Sequence, residues 1–127
     1  MKNDKCPFCH QAVDRIVFKN ELCYALYDRF PVSNGHLLVI PFRHFSSYFE
    51  ATAEETAAIW SLVSYSHGVL QEKYKPDGFN IGINIGQHSG QTIFHLHVHV
   101  IPRYRGDVEN PRGGVRGVIE SKRIYSS

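Results

Sequence analysis

The sequence predicts an α+β domain in which a five-stranded, mostly antiparallel sheet packs against one long helix. Three observations lead to this prediction. Five short segments carry the apolar runs or the two-residue alternation that are typical of strands. One longer segment has apolar residues at helical spacing behind a capping motif. The connections between most neighbouring strands are short, which favours antiparallel pairing.

Turn-forming residues separate the predicted strands. Asn20 and Glu21 are placed as the first hairpin turn, and Pro31, Asn34 and Gly35 mark the loop before the third strand. That third strand is nearly all apolar, so it is expected to be buried on both faces. The predicted strands are 16–18, 22–28, 36–41, 79–86 and 94–102.

The long helix is predicted from Thr52 to about Lys73. Thr52 and Glu55 have the spacing of a capping box, in which a hydroxyl caps the helix and a glutamate reaches back to it. Pro76, Asp77 and Gly78 then end the helix. The preceding stretch 46–49 is predicted to form a short helical turn or a loop.

Length and charge limit the possible functions. A chain of 127 residues with 43% hydrophobic residues can bury one core, so a single domain over 1–127 is expected. The net charge of +2 is too small to indicate nucleic-acid binding. No stretch approaches the roughly 20 apolar residues that cross a bilayer, and no apolar signal region follows the N-terminus. We therefore expect a cytoplasmic protein that binds neither nucleic acid nor a membrane.

The basic residues are unevenly distributed. Residues 103–123 contain six lysines and arginines but three acidic residues, whereas the rest of the chain is slightly acidic. This basic segment is either a solvated end of the chain or a surface that faces phosphate, because guanidinium groups match phosphate oxygens.

Three histidines alternate with apolar residues from His95 to His99. On a strand, alternate side chains share one face, so His95, His97 and His99 are expected to form a row, while the residues between them enter the core. Pro102 is expected to end this strand. Such a row is a solvated polar face, a metal site, a nucleophilic or acid–base site, or a combination of these roles.

Two other segments contain candidate functional groups. Cys6 and Cys9 form a Cys-x-x-Cys pair that is redox-active, metal-binding or incidental; the redox interpretation lacks the strand expected before it. The odd total of three cysteines argues against a disulfide framework. The loop 87–92 places glycine, amide and hydroxyl groups directly before the histidines, where they can donate hydrogen bonds to an anion.

The alternation His95-Leu96-His97-Val98-His99-Val100-Ile101 resembles the motif of the histidine triad (HIT) superfamily of nucleotide hydrolases and transferases. The resemblance covers nearly the whole chain. Residues 90–92 and 102–107 are most similar to the branch that cleaves diadenosine polyphosphates, and the chain lacks the tryptophan-containing C-terminus typical of the phosphoramidase branch.

The resemblance implies a five-stranded antiparallel sheet with one long and one short helix, paired as a homodimer. It also implies attack on the α-phosphate of a dinucleoside polyphosphate by His97, giving a covalent nucleotidyl-histidine. His99 corresponds to the triad member that contacts phosphate, and His36 to a fourth active-site histidine. Asp28 corresponds to the residue that holds the ribose. The residues implied to bind phosphate and bridging oxygens are Asn84, Gln91, Thr92 and again His99.

The resemblance also suggests where a metal would bind. Some bacterial relatives hold a structural zinc ion with a Cys-x-x-Cys pair, a histidine after the third strand and the first triad histidine. The corresponding residues are Cys6, Cys9, His44 and His95. No organic cofactor is implied.

Several alternatives remain open at this stage. Within the same family the reaction is nucleotidyl transfer, phosphorolysis or phosphoramidate cleavage instead of hydrolysis. A metallohydrolase would use all three histidines as zinc ligands. A nucleotide-binding sensor or adaptor would bind the same ligand with only incidental turnover. The run 110–119 resembles the tails of bacterial relatives, and Arg112 or Arg116 is a candidate contact for the distal phosphates.

Overall fold

An antiparallel sheet of five strands with a long helix on one face forms the body of the protein. The computed structural model describes residues 5–11 and 13–125. The strands lie in the order β1-β2-β3-β5-β4, and every neighbouring pair is antiparallel, as predicted. The elements are β1 (Phe18–Lys19), β2 (Cys23–Tyr27), β3 (Leu37–Pro41), α1 (Ala53–Tyr74), β4 (Gly78–Gly82) and β5 (Val98–Arg103). The short 3-10 helices are Val13–Arg15, Tyr48–Glu50, Gln87–Ser89, Gly114–Val118 and Glu120–Lys122.

The two faces of the sheet are covered by different parts of the chain. One face packs against the buried side of α1 in a core that includes Val39, Val98 and Leu62. The other face carries Leu26 and Leu38, and the N-terminal segment (residues 5–11) packs against it through its buried cysteines and Phe8. The Cys-x-x-Cys pair therefore lies on the sheet face opposite α1.

Helix α1 begins and ends as its sequence predicts. Thr52 Oγ1 accepts a hydrogen bond from the Glu55 N–H at 3.1 Å, and Glu55 Oε1 accepts one from the Thr52 N–H at 2.9 Å. Arg43 donates two further hydrogen bonds to the buried Glu55 carboxylate, at 2.8 and 2.9 Å. The helix ends where Lys75 adopts a left-handed conformation, with φ of 53°.

The histidine strand is shorter at its start than predicted. β5 begins at Val98, so His95 and His97 precede it, and the Leu96 N–H donates to the Phe45 carbonyl at 2.7 Å instead of to a strand. β4 likewise ends at Gly82 instead of residue 86. No neighbouring strand extends far enough to pair with either segment within the described part of the chain. Alternation of side chains predicts their direction but cannot show where pairing stops.

The prediction that Pro102 ends the histidine strand is wrong. Pro102 lies within β5, opposite Phe79 of β4, and the strand continues to Arg103. Its carbonyl accepts a hydrogen bond from Ser33 Oγ at 2.7 Å, so its backbone polar groups face the β3 side of the strand. Pairing with β3 has already ended at Val100, so the missing N–H of proline costs no ladder hydrogen bond there.

The register of the three inner strands brings distant residues together. His99 lies opposite Leu38 of β3 and Gly82 of β4. Asp28 directly follows β2 and donates its N–H to the carbonyl of His36, which directly precedes β3, at 2.9 Å. His99 therefore meets His36 and Asp28, which precede it by 63 and 71 positions in the sequence, on one face of the sheet.

The C-terminal segment (residues 107–125) forms two short 3-10 helices beside β4. Arg116 donates to the carbonyls of Lys122 and Arg123, and its guanidinium lies 4.7 Å from the centre of the Tyr125 ring. Arg112 lies 5.4 Å from the same ring. The two arginines considered for phosphate contact thus bind the C-terminal segment itself in the isolated chain.

The sequence is expected to contain neither a signal region nor a membrane-spanning segment. Residues 1–4, on which the expected lack of a signal region partly depends, lie outside the described residues. Within the described residues, no helix has the length and apolar character needed to span a bilayer.

Candidate active site and metal cluster

His97 presents one ring nitrogen to a cleft on the sheet face opposite α1. Its Nδ1–H donates to the carbonyl of His95 at 2.8 Å. In a neutral imidazole, one nitrogen carries the proton and the other keeps a lone pair. The lone pair therefore resides on Nε2. Burial lowers the pKa of His97, opposed by the His95 carbonyl and Asp28, so the ring is neutral near pH 7.

His36, His99 and Asp28 form a hydrogen-bonded group beside His97. The Val32 N–H donates to His36 Nδ1 at 3.2 Å, which places the proton of His36 on Nε2. That Nε2–H donates to His99 Nδ1 at 2.9 Å and lies 3.4 Å from Asp28 Oδ2. His99 consequently carries its own proton on Nε2, where it is available as a donor.

The pKa values of this group favour neutral rings. Burial lowers the pKa of His36, and Asp28 opposes the shift. Burial, followed by the influence of His97 and His36, lowers the pKa of His99 to about 4, again opposed by Asp28. The Asp28 carboxylate is held in place because Oδ1 accepts the Phe30 N–H at 2.8 Å.

The loop before the triad is braced by Gln91. The Gln91 side chain is buried; its Oε1 accepts the Gly86 N–H at 2.8 Å and its Nε2 donates to the carbonyls of Ser46 and Ile93 at 3.0 and 3.1 Å. Both polar atoms of this side chain are therefore engaged by the protein. The sequence suggests Gln91 as a phosphate ligand, but in this geometry it shapes the loop.

A cleft of about 490 Å³ contains most of the predicted nucleotide-binding residues. Exposed Thr92 and partly buried Asn84 line it together with Gly90. The structure therefore brings together His36, His97, His99, Asp28, Asn84, Gln91 and Thr92 around one cleft.

Sequence reasoning did not identify several residues of the cleft wall. Phe8, Arg15, Arg29 and Phe30 also line it. Phe8 lies between the two cysteines and Arg29 follows Asp28, so their neighbours in sequence were available as a signal. Arg15 is not adjacent in sequence to any predicted site residue, so only the fold shows that it lines the cleft.

Cys6, Cys9, His44 and His95 form a separate cluster. The four ligand atoms all lie within 4.8 Å of one another. His95 Nδ1 is 3.3 Å from Cys6 Sγ, 3.6 Å from Cys9 Sγ and 3.1 Å from His44 Nδ1, and Cys9 Sγ is 3.4 Å from His44 Nδ1. Ligand atoms around a tetrahedral zinc ion are separated by roughly 3.3–3.8 Å, given its usual bond lengths. These four separations therefore fit a tetrahedral zinc ion to within a few tenths of an ångström.

The protonation of this cluster also suits a metal ligand set. His95 Nε2–H donates to the Pro41 carbonyl at 2.7 Å, which leaves the Nδ1 lone pair directed at the thiols. Burial lowers the pKa of His95 to about 4, so the ring stays neutral. Burial raises the pKa of Cys6, and a bound cation would reverse that cost by stabilising the thiolate.

The three triad histidines do not converge on one point. His95 is fully buried in the cluster, whereas His97 lies in neither group of potential metal ligands among the described residues. A second group, Asp28 with His36 and His99, is compact enough for an ion. However, the Val32 N–H at His36 Nδ1 keeps a proton on Nε2, the atom that would have to bind the metal. The geometry thus separates a metal cluster from a neutral imidazole site.

Known proteins resemble this chain in sequence and in fold. The chain is 37% identical over 93 residues to the AP-4-A phosphorylase of Mycobacterium tuberculosis, which covers 72% of this chain but 48% of that protein. It is 38% identical over 95 residues to the bis(5'-adenosyl)-triphosphatase of Dictyostelium discoideum, covering 75% of this chain and 64% of that protein. Among solved structures, a zinc-bound histidine triad family protein from Mycobacterium smegmatis matches with a TM-score of 0.74 and 31% identity, over 84% of this chain and 80% of that one.

The chain spans about half of the length of the mycobacterial phosphorylase and about two thirds of the triphosphatase. The HIT domain family itself matches residues 10–106. With the fold, the triad and this match in agreement, the chain belongs to the HIT domain family and has the site of a nucleotide-processing enzyme.

Proposed function

We propose that the protein hydrolyses dinucleoside polyphosphates, such as diadenosine tetraphosphate, at the α-phosphate through a nucleotidyl intermediate on His97. One observation carries this proposal. The His97 Nδ1–H donates to the His95 carbonyl, which leaves the Nε2 lone pair for attack. The same cleft is lined by Asn84, Thr92 and His99, whose side chains can donate hydrogen bonds to phosphate oxygens.

In the first step, His97 Nε2 attacks the α-phosphorus and forms a P–N bond. The bond from phosphorus to the bridging oxygen breaks, and the remaining nucleotide leaves with that electron pair. The His97 ring becomes positively charged in this step. Its Nδ1–H donates to the His95 carbonyl, and this hydrogen bond stabilises the positive charge. His99 Nε2–H is a donor for the non-bridging oxygens, where negative charge develops.

In the second step, water replaces the histidine. A water oxygen attacks the phosphorus, the P–N bond breaks, and its electron pair returns to His97 Nε2. The proton from water passes to solvent, and a mononucleotide is released. Two displacements of moderate difficulty thereby replace a single difficult one.

The other cleft residues serve binding in this proposal. Asp28, whose carboxylate is fixed by the Phe30 N–H, holds the ribose hydroxyls. Asn84 and Thr92 contact phosphate and bridging oxygens from the cleft wall. Gln91 acts by holding the loop that carries Thr92.

We assign a structural zinc ion to Cys6, Cys9, His44 and His95. When bound, the ion supplies a cross-link between the N-terminal segment and the residues just before β5. The chemistry in the cleft uses only side chains of the protein. The reduced thiols that this site needs are consistent with a cytoplasmic location.

A homodimer is also part of the proposal. β4 is an outer strand with β5 as its neighbour, and its Ile81 is 42% exposed. An outer strand of this kind offers unpaired backbone groups to a second copy.

Phosphorolysis is the second candidate reaction, because the mycobacterial relative is named a phosphorylase. Its first step is the same, and orthophosphate replaces water in the second. Product analysis with added orthophosphate separates the two: hydrolysis of diadenosine tetraphosphate gives AMP and ATP, whereas phosphorolysis gives ADP and ATP.

The nucleophile is tested by trapping it. We expect wild-type protein mixed with α-labelled diadenosine tetraphosphate and quenched in alkali to carry the label, since phosphohistidine is unstable in acid. His97→Asn should carry none and lose turnover by at least about 10³-fold, while still binding AMP. His67→Asn, on the exposed side of α1, is the matched control. Turnover or labelling retained in His97→Asn would contradict the assignment.

A further inference from the structure

Phe8 contacts both the metal cluster and the nucleophile. Its ring lies edge-on to His95, with centroids 5.9 Å apart, and to His97, with centroids 5.1 Å apart. The side chain is 8% exposed and lines the cleft. Phe8 is thus a direct packing bridge between a residue of the metal cluster and the proposed nucleophile.

The position of Phe8 depends on the turn that contains the two cysteines. The Cys9 N–H donates to the Cys6 carbonyl at 3.2 Å, and the Tyr24 hydroxyl donates to the Phe8 carbonyl at 2.5 Å. Both thiols are directed at His95 Nδ1. Because Phe8 is enclosed by the two ligands of one turn, closing the cluster fixes the backbone from which its ring extends.

We propose that Phe8 is a positioning residue that transmits the closure of the metal cluster to the ring of His97. The inference rests on the proposed function and on the proposed zinc ligands. The His97 ring is held by the hydrogen bond at Nδ1 and is flanked by the rings of His99 and Phe8, whose centroids each lie 5.1 Å from its own. The edge of Phe8 limits rotation of the His97 ring and keeps Nε2 directed at the cleft.

Loss of the ion has a defined consequence in this arrangement. The turn loses the cross-link to His95 and His44, and Phe8 no longer has a fixed place against His97. The nucleophile then samples orientations in which Nε2 points away from the phosphorus. An error of about 1 Å in such a geometry costs up to about 100-fold in rate.

The first experiment measures the rate at which the labelled nucleotidyl-histidine forms at saturating substrate. We expect Phe8→Ala to lower this rate by about 10- to 100-fold with zinc content retained, and Phe8→Leu to lower it less. Phe18→Ala is the control, because Phe18 packs edge-on against Tyr65 and does not line the cleft. A change confined to the Kd for AMP, with an unchanged rate, would show that Phe8 is only a wall of the cleft and would overturn the proposal.

The second experiment does not depend on turnover. Imidazole ¹⁵N signals of His97 are recorded in wild type and Phe8→Ala, loaded with zinc and after removal of zinc by a chelator. Chelation should shift the His97 signals in wild type and leave them nearly unchanged in Phe8→Ala. The absence of a shift in wild type would refute transmission through Phe8. An equal shift in both proteins would also refute it, because the coupling would then pass through the His95 backbone.

The two experiments separate this inference from the proposed function. Failure of the function appears as wild-type protein that never carries a label. Failure of the inference appears as a normally labelled Phe8→Ala variant, or as His97 signals that respond to zinc without Phe8.

Discussion

The histidines of this protein carry their ring protons on different nitrogens. His97 is fixed by a carbonyl acceptor at Nδ1, His95 by one at Nε2, and His36 by a backbone donor at Nδ1. Each of these bonds decides which lone pair is free. The sequence predicts a row of imidazoles, but the bonds come from residues as distant as Pro41 and cannot be read from local alternation.

Acid should destabilise the protein partly through His99. Its pKa of about 4 in the folded state lies below the ordinary value of 6.5, so the unfolded chain binds this proton more readily. Stability is therefore lost as pH falls from about 6.5 to 4. We expect His99→Gln to reduce that loss by up to about 3 kcal/mol, measured by urea unfolding between pH 7 and 4.

His67→Gln, tested in the same series, provides the comparison for removing a histidine from an exposed place. If His99→Gln loses stability with acid as steeply as wild type, then burial of His99 does not control the acid response.

The elements of the fold follow the sequence closely where side chains face a core. Alternation correctly places Leu96, Val98 and Val100 against α1. The same alternation extends the predicted strand too far, because Leu96 keeps its inward direction while its N–H bonds to Phe45 outside the sheet. Pairing depends on where the neighbouring strands end, and the spacing within one segment contains no information on that.

The loop 86–92 provides a prediction at the same scale. Gln91→Ala removes partners from the Gly86 N–H and from two carbonyls, so we expect a loss of about 1–3 kcal/mol in unfolding free energy. Thr92→Ala should instead weaken AMP binding several-fold with unchanged stability, because Thr92 is exposed in the cleft. Urea unfolding and AMP titration measure the two effects. Weakened binding without loss of stability in Gln91→Ala would make its amide a direct ligand.

At the scale of the whole molecule, the two faces of the sheet are built differently. The α1 face holds the main core, and the opposite face holds the cluster of Cys6, Cys9, His44 and His95 and the cleft. The fold class was predictable because strand and helix patterns are local, whereas the candidate ligand set came from the resemblance to the family and not from the spacing of cysteines and histidines. The separation of His95 from His97 and His99 was expected from the same resemblance, but the presence of Arg15 at the cleft depends on how the N-terminal part of the chain crosses the sheet.

Removing zinc should lower stability by about as much as the largest single side-chain change discussed above. We expect a chelator to lower Tm by about 10 °C, since a domain of this size shifts by about 3–4 °C per kcal/mol and bound metal contributes several kcal/mol. Before any chelator is added, Cys9→Ser should already have a lower Tm than wild type, and the chelator should change that Tm little. Turnover abolished at unchanged Tm would instead indicate a catalytic metal.

The ligand set of the cluster joins residues 86 to 89 positions apart in sequence. During synthesis, Cys6 and Cys9 leave the ribosome well before His95, which follows them by 89 and 86 positions. The N-terminal thiols therefore wait through translation without their final partners, and late ordering of this segment is expected for contacts so far apart. If the cluster binds zinc as proposed, the thiols stay unliganded until His95 has been made, and the ion completes its ligand set only then.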